Sequence, residues 1–202
     1  MPSLTQEMLR SNLTLARLLS DSFERWETYV DLPSARMLDI GCGPRTGFFF
    51  VEQVCAYYGI DPDKEAIRKA KRYSTREKYK NTHFAVARGE AVPFKTQFDI
   101  VLYWGSWHFI TNHGEALNEA KRVLKPNGIV TIREPCPGTR WWDPRLNRNE
   151  PEFDPQLYDK KCKMLQLGEE ALKKQNIFRI AEFTHDTGVK YKGLEQKIWI
   201  LR

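Results

Sequence analysis

Two glycines and two aspartates near residue 40 have the types and spacing of a ligand-binding turn. Gly41 and Gly43 allow a tight bend and let backbone N–H groups come close to a bound molecule. Asp39 stands two residues before the first glycine, and Asp61 lies further along, where its carboxylate can accept both hydroxyls of a ribose. These residues predict a site for a molecule that carries a ribose.

The segments around these residues would position them. Residues 36–40 form a short apolar strand that ends at the glycines, and residues 47–53 are predicted to form a helix. Residues 54–60 form a second strand that ends beside Asp61. This order is the βαβ unit of a nucleotide-binding sheet. Its helix directs the positive end of its dipole at the glycine turn.

The βαβ unit fits NAD, FAD or S-adenosylmethionine, and two details separate these cofactors. The turn continues as Pro44-Arg45-Thr46-Gly47 rather than as the G-x-G-x-x-G cradle of a pyrophosphate. Asp39 would repel a pyrophosphate, whereas it suits a ligand with an ammonium and a sulfonium. Both details favour S-adenosylmethionine. A turn that only joins a strand to a helix is the simpler alternative.

Length and composition predict one α/β domain over residues 1–202. The chain is 41% hydrophobic and includes no apolar run of the roughly 20 residues that a membrane helix needs. No signal peptide is recognised, and no membrane attachment is expected. The four cysteines are scattered without a C-x-x-C pair, so neither a metal site nor a disulfide framework is indicated. A reducing, cytoplasmic location is expected.

The net charge of +6 is distributed unevenly. Residues 1–119 are neutral overall, so the excess of Lys and Arg lies in residues 120–202, and residues 64–80 form a second basic cluster. A basic surface can bind RNA or an acidic partner. A solvated, salt-bridged surface is the alternative that we favour.

Strands and helices alternate through the rest of the chain. The pattern predicts strands over residues 83–86, 99–103, 129–132, 177–184 and 196–201, and helices over residues 62–79, 114–124 and 156–175. The segment Lys125-Pro126-Asn127-Gly128 is expected to stop the second of these helices. The order predicts a Rossmann-like, doubly wound α/β fold. Its seven-stranded, mostly parallel sheet would have an antiparallel last strand and helices on both faces.

Two segments outside the sheet are expected to cover the site. Residues 1–32 have the apolar spacing of an amphipathic N-terminal helix or pair of helices, including Phe23 and Trp26. Residues 134–155 are rich in proline and carry Trp141 and Trp142. Because a loop of this length in a compact domain is usually functional, we expect it to form a lid over the substrate.

Four motifs in order resemble those of class I S-adenosylmethionine-dependent methyltransferases. They are L-D-I-G-C-G-P, Y-Y-G-I-D-P, A-R-G-E-A-V-P-F, and F-D-I-V-L-Y-W-G-S-W-H-F-I followed by R-V-L-K-P-N-G. Over about residues 35–135 the chain is similar to the family that includes the ubiquinone and menaquinone biosynthesis enzymes. The resemblance implies S-adenosyl-L-methionine as the cofactor and S-adenosyl-L-homocysteine as the product.

The resemblance also implies which residues hold the cofactor. Asp39 would help to hold the methionine amino group, and Asp61 would bind the ribose. Arg88 stands where many members have an acidic residue for the adenine, so Glu90 or backbone groups around Gly89 would take that role. The expected cofactor-binding residues are Asp39, Gly41, Cys42, Gly43, Asp61, Pro62, Arg88, Gly89, Glu90, Tyr103 and Trp104.

Methyl transfer asks for few protein groups, because the cofactor carries the reactive methyl. A base is needed only when the acceptor starts protonated. His108 is the candidate for that base, with a packing or capping histidine as the alternative. Four residues are expected to contact the substrate, although Trp107 fits a core position equally well: Trp107, Glu134, Trp141 and Trp142.

The preferred function is methyl transfer to a small-molecule acceptor. The Asn-Pro-Pro-aromatic motif of amino-directed nucleic-acid methyltransferases is absent, and Tyr103-Trp104-Gly105-Ser106 stands in its place. The basic clusters keep RNA or protein as alternative acceptors. A non-catalytic cofactor-binding module and an NAD-linked oxidoreductase are further alternatives. The oligomeric state is not predicted.

Overall fold

The computed structural model describes residues 22, 24–44, 48–135, 155–174, 179–185 and 196–201. The described strands are β1 (Arg36–Ile40), β2 (Ala56–Asp61), β3 (Thr82–Val86), β4 (Phe98–Trp104), β5 (Leu124–Pro135), β6 (Arg179–His185) and β7 (Gln196–Leu201). The described helices are α1 (Phe48–Val51), α2 (Lys64–Arg76), α3 (His113–Val123) and α4 (Pro155–Lys174), with 3-10 turns at Leu32–Ser34 and Trp107–Phe109. Most of the expected N-terminal cover and lid loop, including Trp141 and Trp142, lies outside the described residues.

The strands form one sheet in the order β3-β2-β1-β4-β5-β7-β6. β1 pairs in parallel with β2 and β4, β2 with β3, and β4 with β5, whereas β7 runs antiparallel between β5 and β6. The prediction of a doubly wound, mostly parallel sheet with an antiparallel last strand is confirmed. The chain proceeds from β1 to β3 on one side and from β4 to β5 on the other. The topological switch point therefore lies between β1 and β4.

Alternation along the strands gives the sheet an apolar core on each face. On one face, Leu38 and Val101 pack with Ala116 of α3 and Leu165 of α4. The other face carries Met37 and Ile100, packed with Phe50 of α1, Ile67 of α2 and Trp26. Helices therefore cover both faces, as predicted. None of the helices described here has both the length and the apolar character required to cross a bilayer.

The structure corrects the predicted bounds of β5. The strand begins at Leu124, because Phe98 of β4 pairs with Leu124 before a register shift in the ladder. It continues to Pro135, so residues 134–135 belong to the strand and not to the expected loop. The prediction that the helix stops before Lys125–Gly128 was correct, since α3 ends at Val123. The sequence did not show that strand pairing with β4 begins at the very next residue.

Candidate functional site

A glycine turn lies at the switch point of the sheet. Gly41 and Gly43 adopt φ angles of +78° and +58°, a left-handed conformation that glycine accepts without strain. A Cβ atom on Gly41 would lie 2.4 Å from Cβ of Ser106, so the turn also needs glycine for space. The Ser106 hydroxyl donates to the Ile40 carbonyl oxygen at 2.5 Å and ties the end of β4 to the end of β1.

Asp39 is a buried carboxylate at the base of this turn. The Tyr57 hydroxyl donates to Asp39 Oδ2 at 2.6 Å, and Oδ1 has no hydrogen-bond partner among the described residues. Burial raises the pKa of Asp39 from 3.8 to about 7; the Tyr57 hydrogen bond opposes the shift, and the charge of Asp61 adds to it. A buried carboxylate oxygen without a donor costs free energy, so a cationic ligand group would stabilise it.

Asp61 faces the same turn from the end of β2. Its Oδ2 accepts a hydrogen bond from the Gly43 amide at 3.0 Å, and its Oδ1 accepts one from the Asp63 amide at 2.9 Å. The side chain is half-buried, and each carboxylate oxygen has a second lone pair. Asp61 is therefore oriented by the backbone and can accept further hydrogen bonds from a ligand. Pro62, next in the chain, is exposed.

Cys42 lies inside the turn, between the two glycines. The thiol is buried, and this burial raises its pKa well above the ordinary value, with the charges of Asp39 and Asp61 adding to the shift. Its amide donates to the Ile60 carbonyl oxygen at 3.0 Å. Cys42 therefore presents a neutral, packed side chain, and its contribution to a site would come from the backbone.

The expected adenine segment runs over the end of β1. Gly89 is buried so closely that an added Cβ would lie 2.9 Å from Cγ2 of Ile40. Glu90 Oε1 accepts hydrogen bonds from the Thr111 and Asn112 amides at 2.9 and 3.0 Å, which holds the entry to α3. Arg88 is exposed, with Nη1 3.4 Å from the Thr111 hydroxyl. If Glu90 contacted an adenine, it would use a carboxylate that already accepts hydrogen bonds from the loop before α3.

The two aromatic residues at the end of β4 point to opposite faces of the sheet. The Tyr103 ring is fully buried, and its hydroxyl donates to the Ala116 carbonyl oxygen at 3.1 Å. This placement argues against the predicted side-chain contact with the cofactor. Trp104 is half-buried, with its ring 5.2 Å from that of Phe50 and 4.4 Å below the Arg133 guanidinium.

His108 and Glu134 form a buried pair at the same edge of the sheet. His108 Nδ1 lies 2.5 Å from Glu134 Oε2, and Glu134 Oε1 accepts a hydrogen bond from the Trp107 amide at 2.6 Å. Glu134 has no exposed surface. The predicted contact of Glu134 with a substrate would require it to release one of these bonds. In the structure, its carboxylate instead orients His108.

Trp107 is a core residue. Its side chain has no exposed surface and packs against Tyr103 and His113 at ring-centre distances of 4.9 and 4.6 Å. The predicted substrate contact of Trp107 therefore has no support here. The alternative interpretation of Trp107, as a core residue, agrees with its surroundings.

Two residues of the site were missed by sequence reasoning. Ser106 was noted only as part of a motif, because its contact with Gly41 depends on how two distant loops meet. Tyr57 pairs with Met37 across the β1–β2 ladder and so shares a face with Asp39. Alternation along β2, once aligned with β1, could have revealed it.

Comparisons with known proteins identify the family and the fold of this chain. Residues 32–196 match a family model described as a methyltransferase domain. The chain is 28% identical over 112 residues to phthiotriol/phenolphthiotriol dimycocerosates methyltransferase 1 of Mycobacterium ulcerans. It is 31% identical over 108 residues to the ubiquinone biosynthesis O-methyltransferase of Rhodopseudomonas palustris.

These alignments cover 54% and 50% of the chain but only 40% of each relative, so the chain spans less than half of the curated relatives it matches. Among solved structures, a SAM-dependent methyltransferase from Aquifex aeolicus is similar with a TM-score of 0.66 at 15% identity. That likeness covers 91% of this chain and 88% of the other, and it concerns the fold.

Proposed function

Since this chain belongs to the methyltransferase domain family, we propose that it transfers the methyl group of S-adenosylmethionine to a small-molecule acceptor. The observation that carries the proposal is Asp39. Its carboxylate is buried beside the glycine turn, and Oδ1 has no donor within the described ranges. An anion so placed favours a cationic ligand and disfavours a pyrophosphate.

The residues present fit S-adenosylmethionine. Asp39 Oδ1 would accept a hydrogen bond from the ammonium group of the methionine part, and Asp61 would accept from the ribose hydroxyls. The cofactor supplies a methyl group on an electron-poor sulfonium, so the protein needs neither a metal nor a covalent intermediate.

This chain would position the cofactor and the acceptor and, where the acceptor is protonated, would supply a base. In the proposed arrangement, Nδ1 of His108 donates the hydrogen bond to the Glu134 carboxylate. Nε2 is then the nitrogen that can take a proton from an acceptor. Glu134 holds the ring in place and offsets the positive charge that forms on it.

A small-molecule acceptor is supported by the relatives. One is named for phthiotriol and phenolphthiotriol dimycocerosates, and the other for ubiquinone biosynthesis. RNA is the second candidate acceptor, because α2 borders a groove of about 610 Å³ whose lining includes Lys69, Arg72 and Arg76. The phosphates of a nucleic acid would complement that charge.

The test is to incubate the pure protein with radiolabelled cofactor and fractionated cell extract. We expect label in the metabolite fraction. Label in RNA or protein instead would favour the second class of acceptor, and no label despite tight binding of S-adenosylhomocysteine would indicate a binding module. Calorimetric titration with S-adenosylhomocysteine and with NAD separates methyl transfer from an oxidoreductase.

The proposed base is tested with the acceptor that this experiment identifies. His108→Asn is expected to lower kcat by roughly 10²–10⁴-fold. Glu134→Gln should lower kcat and alter its pH profile, with partial recovery in Glu134→Asp, while the exposed Glu115→Gln serves as the control. Unchanged kcat in His108→Asn would remove the base from the proposal and leave the cofactor assignment intact.

A further inference from the structure

The two carboxylate oxygens of Asp39 have different surroundings. Oδ2 accepts a hydrogen bond from the Tyr57 hydroxyl at 2.6 Å, whereas Oδ1 has no hydrogen-bond partner among the described residues. Because a carboxylate is planar, a bond that holds one oxygen in place also limits the direction of the other. Tyr57 therefore helps to determine which way Oδ1 points from the base of the glycine turn.

Tyr57 reaches Asp39 from a diagonal position on the neighbouring strand. In the β1–β2 ladder the residue directly beside Asp39 is Gly59, which has no side chain to offer a hydrogen bond. The space next to Gly59 is already filled, since an added Cβ atom would lie 2.8 Å from Cys42 Sγ and 2.9 Å from Phe84 Cδ1. The hydroxyl that meets Asp39 therefore comes from Tyr57, two residues earlier on the same face of β2.

Tyr57 is itself held firmly enough to orient a second side chain. Its side chain is buried, and its amide donates to the Asn81 carbonyl oxygen at 2.8 Å. The side-chain amide of Asn81 donates in turn to the carbonyl oxygens of Val51 and Val54, each at 3.1 Å. Burial also raises the pKa of Tyr57 well above its ordinary value, so the hydroxyl keeps its proton and remains a donor.

The charge on Asp39 depends on the same hydrogen bond. In the described part of the chain, the titratable groups that act on Asp39 are Tyr57, Asp61 and Cys42, and none of these three is a cation. Leu102, its neighbour on β4, carries no charge. Burial and the charge of Asp61 raise the pKa of Asp39 to about 7, against the opposing effect of the Tyr57 hydrogen bond. Loss of this bond would raise the pKa further and leave more of Asp39 neutral at pH 7.

We propose that Tyr57 is a positioning residue for the amino-acid end of the cofactor. Its hydroxyl holds Asp39 so that Oδ1 is left for the ammonium group, and it favours the ionised carboxylate that attracts this group. Tyr57 acts through Asp39 and makes no contact with the cofactor itself. This inference rests on the proposed methyl transfer and adds a residue that controls the affinity for its cofactor.

The test separates the amino-acid end of the ligand from its adenosine end. S-adenosylhomocysteine has both ends, whereas 5′-methylthioadenosine has the adenosine and the thioether sulfur but no ammonium group. Calorimetry at pH 7 should show about tenfold weaker binding of S-adenosylhomocysteine to Tyr57→Phe than to the wild type, because Asp39 is less well oriented and less often ionised. Binding of 5′-methylthioadenosine should be unchanged.

The pH dependence is a second readout, which a purely structural role of Tyr57 would not move. Asp39 must be ionised to attract the ammonium, so affinity for S-adenosylhomocysteine should rise with pH through the pKa of Asp39, and affinity for 5′-methylthioadenosine should not. In Tyr57→Phe this rise should be displaced to higher pH, so that the loss is smaller at pH 8 than at pH 7. In an Asp39→Asn background, Tyr57→Phe should have no further effect on binding.

Tyr58→Phe is the matched control. Tyr58 is the next residue of β2 and points to the opposite face of the sheet, where its ring stacks on His83 at a centre distance of 4.3 Å and lies 5.0 Å from Phe98. Loss of its hydroxyl should leave the binding of both ligands, and the pH dependence, as in the wild type.

Three results would overturn the inference: unchanged affinity for S-adenosylhomocysteine in Tyr57→Phe, equal weakening of both ligands, or an unmoved pH dependence. A rise with pH of the same size for 5′-methylthioadenosine in the wild type would do so as well. Circular dichroism establishes that each variant is folded. If the wild type binds S-adenosylhomocysteine and Tyr57→Phe binds it as tightly, only the role of Tyr57 is wrong. If the wild type does not bind it, the methyl-transfer proposal is wrong as well.

Discussion

The charge of Asp39 is expected to lower the stability of the ligand-free protein and to favour binding of a cationic ligand. Its folded-state pKa of about 7 lies above its ordinary value of 3.8, because burial disfavours the charged form. Between these values the folded state binds the proton more tightly than the unfolded state, so the stability of the ligand-free protein falls as the pH rises through this window. At pH 8 the protein holds a buried charge that a cationic ligand would stabilise.

Asp39→Asn should therefore stabilise the ligand-free protein at pH 8. Asparagine can still accept the Tyr57 hydrogen bond but carries no charge, and we expect a gain on the order of 1–4 kcal/mol. Urea unfolding measures it, and the gain should shrink at pH 5, where Asp39 is already mostly protonated. Asp63→Asn, at the exposed N-cap of α2, is the control and should change little. A loss of stability at pH 8 would contradict this account of Asp39.

Binding of S-adenosylhomocysteine should depend on pH in the opposite sense. Protonation removes the charge that attracts its ammonium, so we expect about tenfold weaker binding at pH 6 than at pH 8. Calorimetry across this range measures the change. The Asp39→Asn variant should bind weakly at both pH values. If wild type and variant showed the same pH dependence, another group would be responsible.

Asp61→Ala should weaken binding of S-adenosylhomocysteine by about 1–3 kcal/mol, through the loss of charge-assisted hydrogen bonds to the ribose. Asp63→Ala is the matched control, because it removes a neighbouring carboxylate but keeps the amide that Asp61 accepts from. Affinity unchanged in Asp61→Ala would count against the ribose assignment.

For individual residues, the sequence predicted which ones meet at the turn better than it predicted the directions of side chains. Asp39, Gly41, Gly43 and Asp61 meet at one turn because chain order and strand ends fix their places. Whether Tyr103 faces the crevice or the core depends instead on the packing of α3, which no local pattern encodes.

Among the elements, α4 is joined to the site by close packing. A Cβ atom on Gly168 would lie 2.3 Å from Nε1 of Trp107 and 2.9 Å from Nε2 of His113. Both rings are buried, so neither can move aside freely. This contact holds α4 against the turn that carries His108 and Phe109.

Gly168→Ala should therefore destabilise the protein, although alanine is the better helix former. We expect a net loss of about 1–3 kcal/mol, because the overpacking outweighs the gain in helix propensity of about 1 kcal/mol. Thermal unfolding measures the loss. Leu167→Ala, on the exposed side of the same helix, is the control and should have a smaller effect. Stabilisation by Gly168→Ala would show that α4 packs less closely than described.

The bounds of the strands and helices were predicted with unequal success. β1 and β7 have the predicted bounds. Of the helix predicted over residues 47–53, α1 covers residues 48–51, and residues 52–53 form a turn. β5 was predicted too short, because its first pairing depends on β4 and not on its own composition.

For the whole molecule, we propose that residues 1–202 fold as one cooperative domain. Trp26 Nε1 donates to the Thr131 hydroxyl at 3.3 Å, and the Arg133 guanidinium bonds the Ser22 hydroxyl, so the chain before β1 is attached to β5. The N-terminal segment and the sheet should therefore unfold together.

Urea unfolding followed by far-ultraviolet circular dichroism and by tryptophan fluorescence should give one coincident transition. Trp26, Trp104, Trp107 and Trp199 report from both cores of the sheet. A fluorescence transition that precedes the loss of secondary structure would instead indicate that the N-terminal segment detaches first.

The position of β7 in the sheet affects how the chain folds during synthesis. β7 follows β5 and β6 along the chain but lies between them in the sheet. On the ribosome, Val130 and Ile132 of β5 emerge long before their partners Leu201 and Trp199. Until residues 196–201 leave the exit tunnel, the nascent chain displays an unpaired apolar strand edge, which is the kind of surface that chaperones bind and that aggregates. Insertion of this one late strand closes the sheet and ends that exposure.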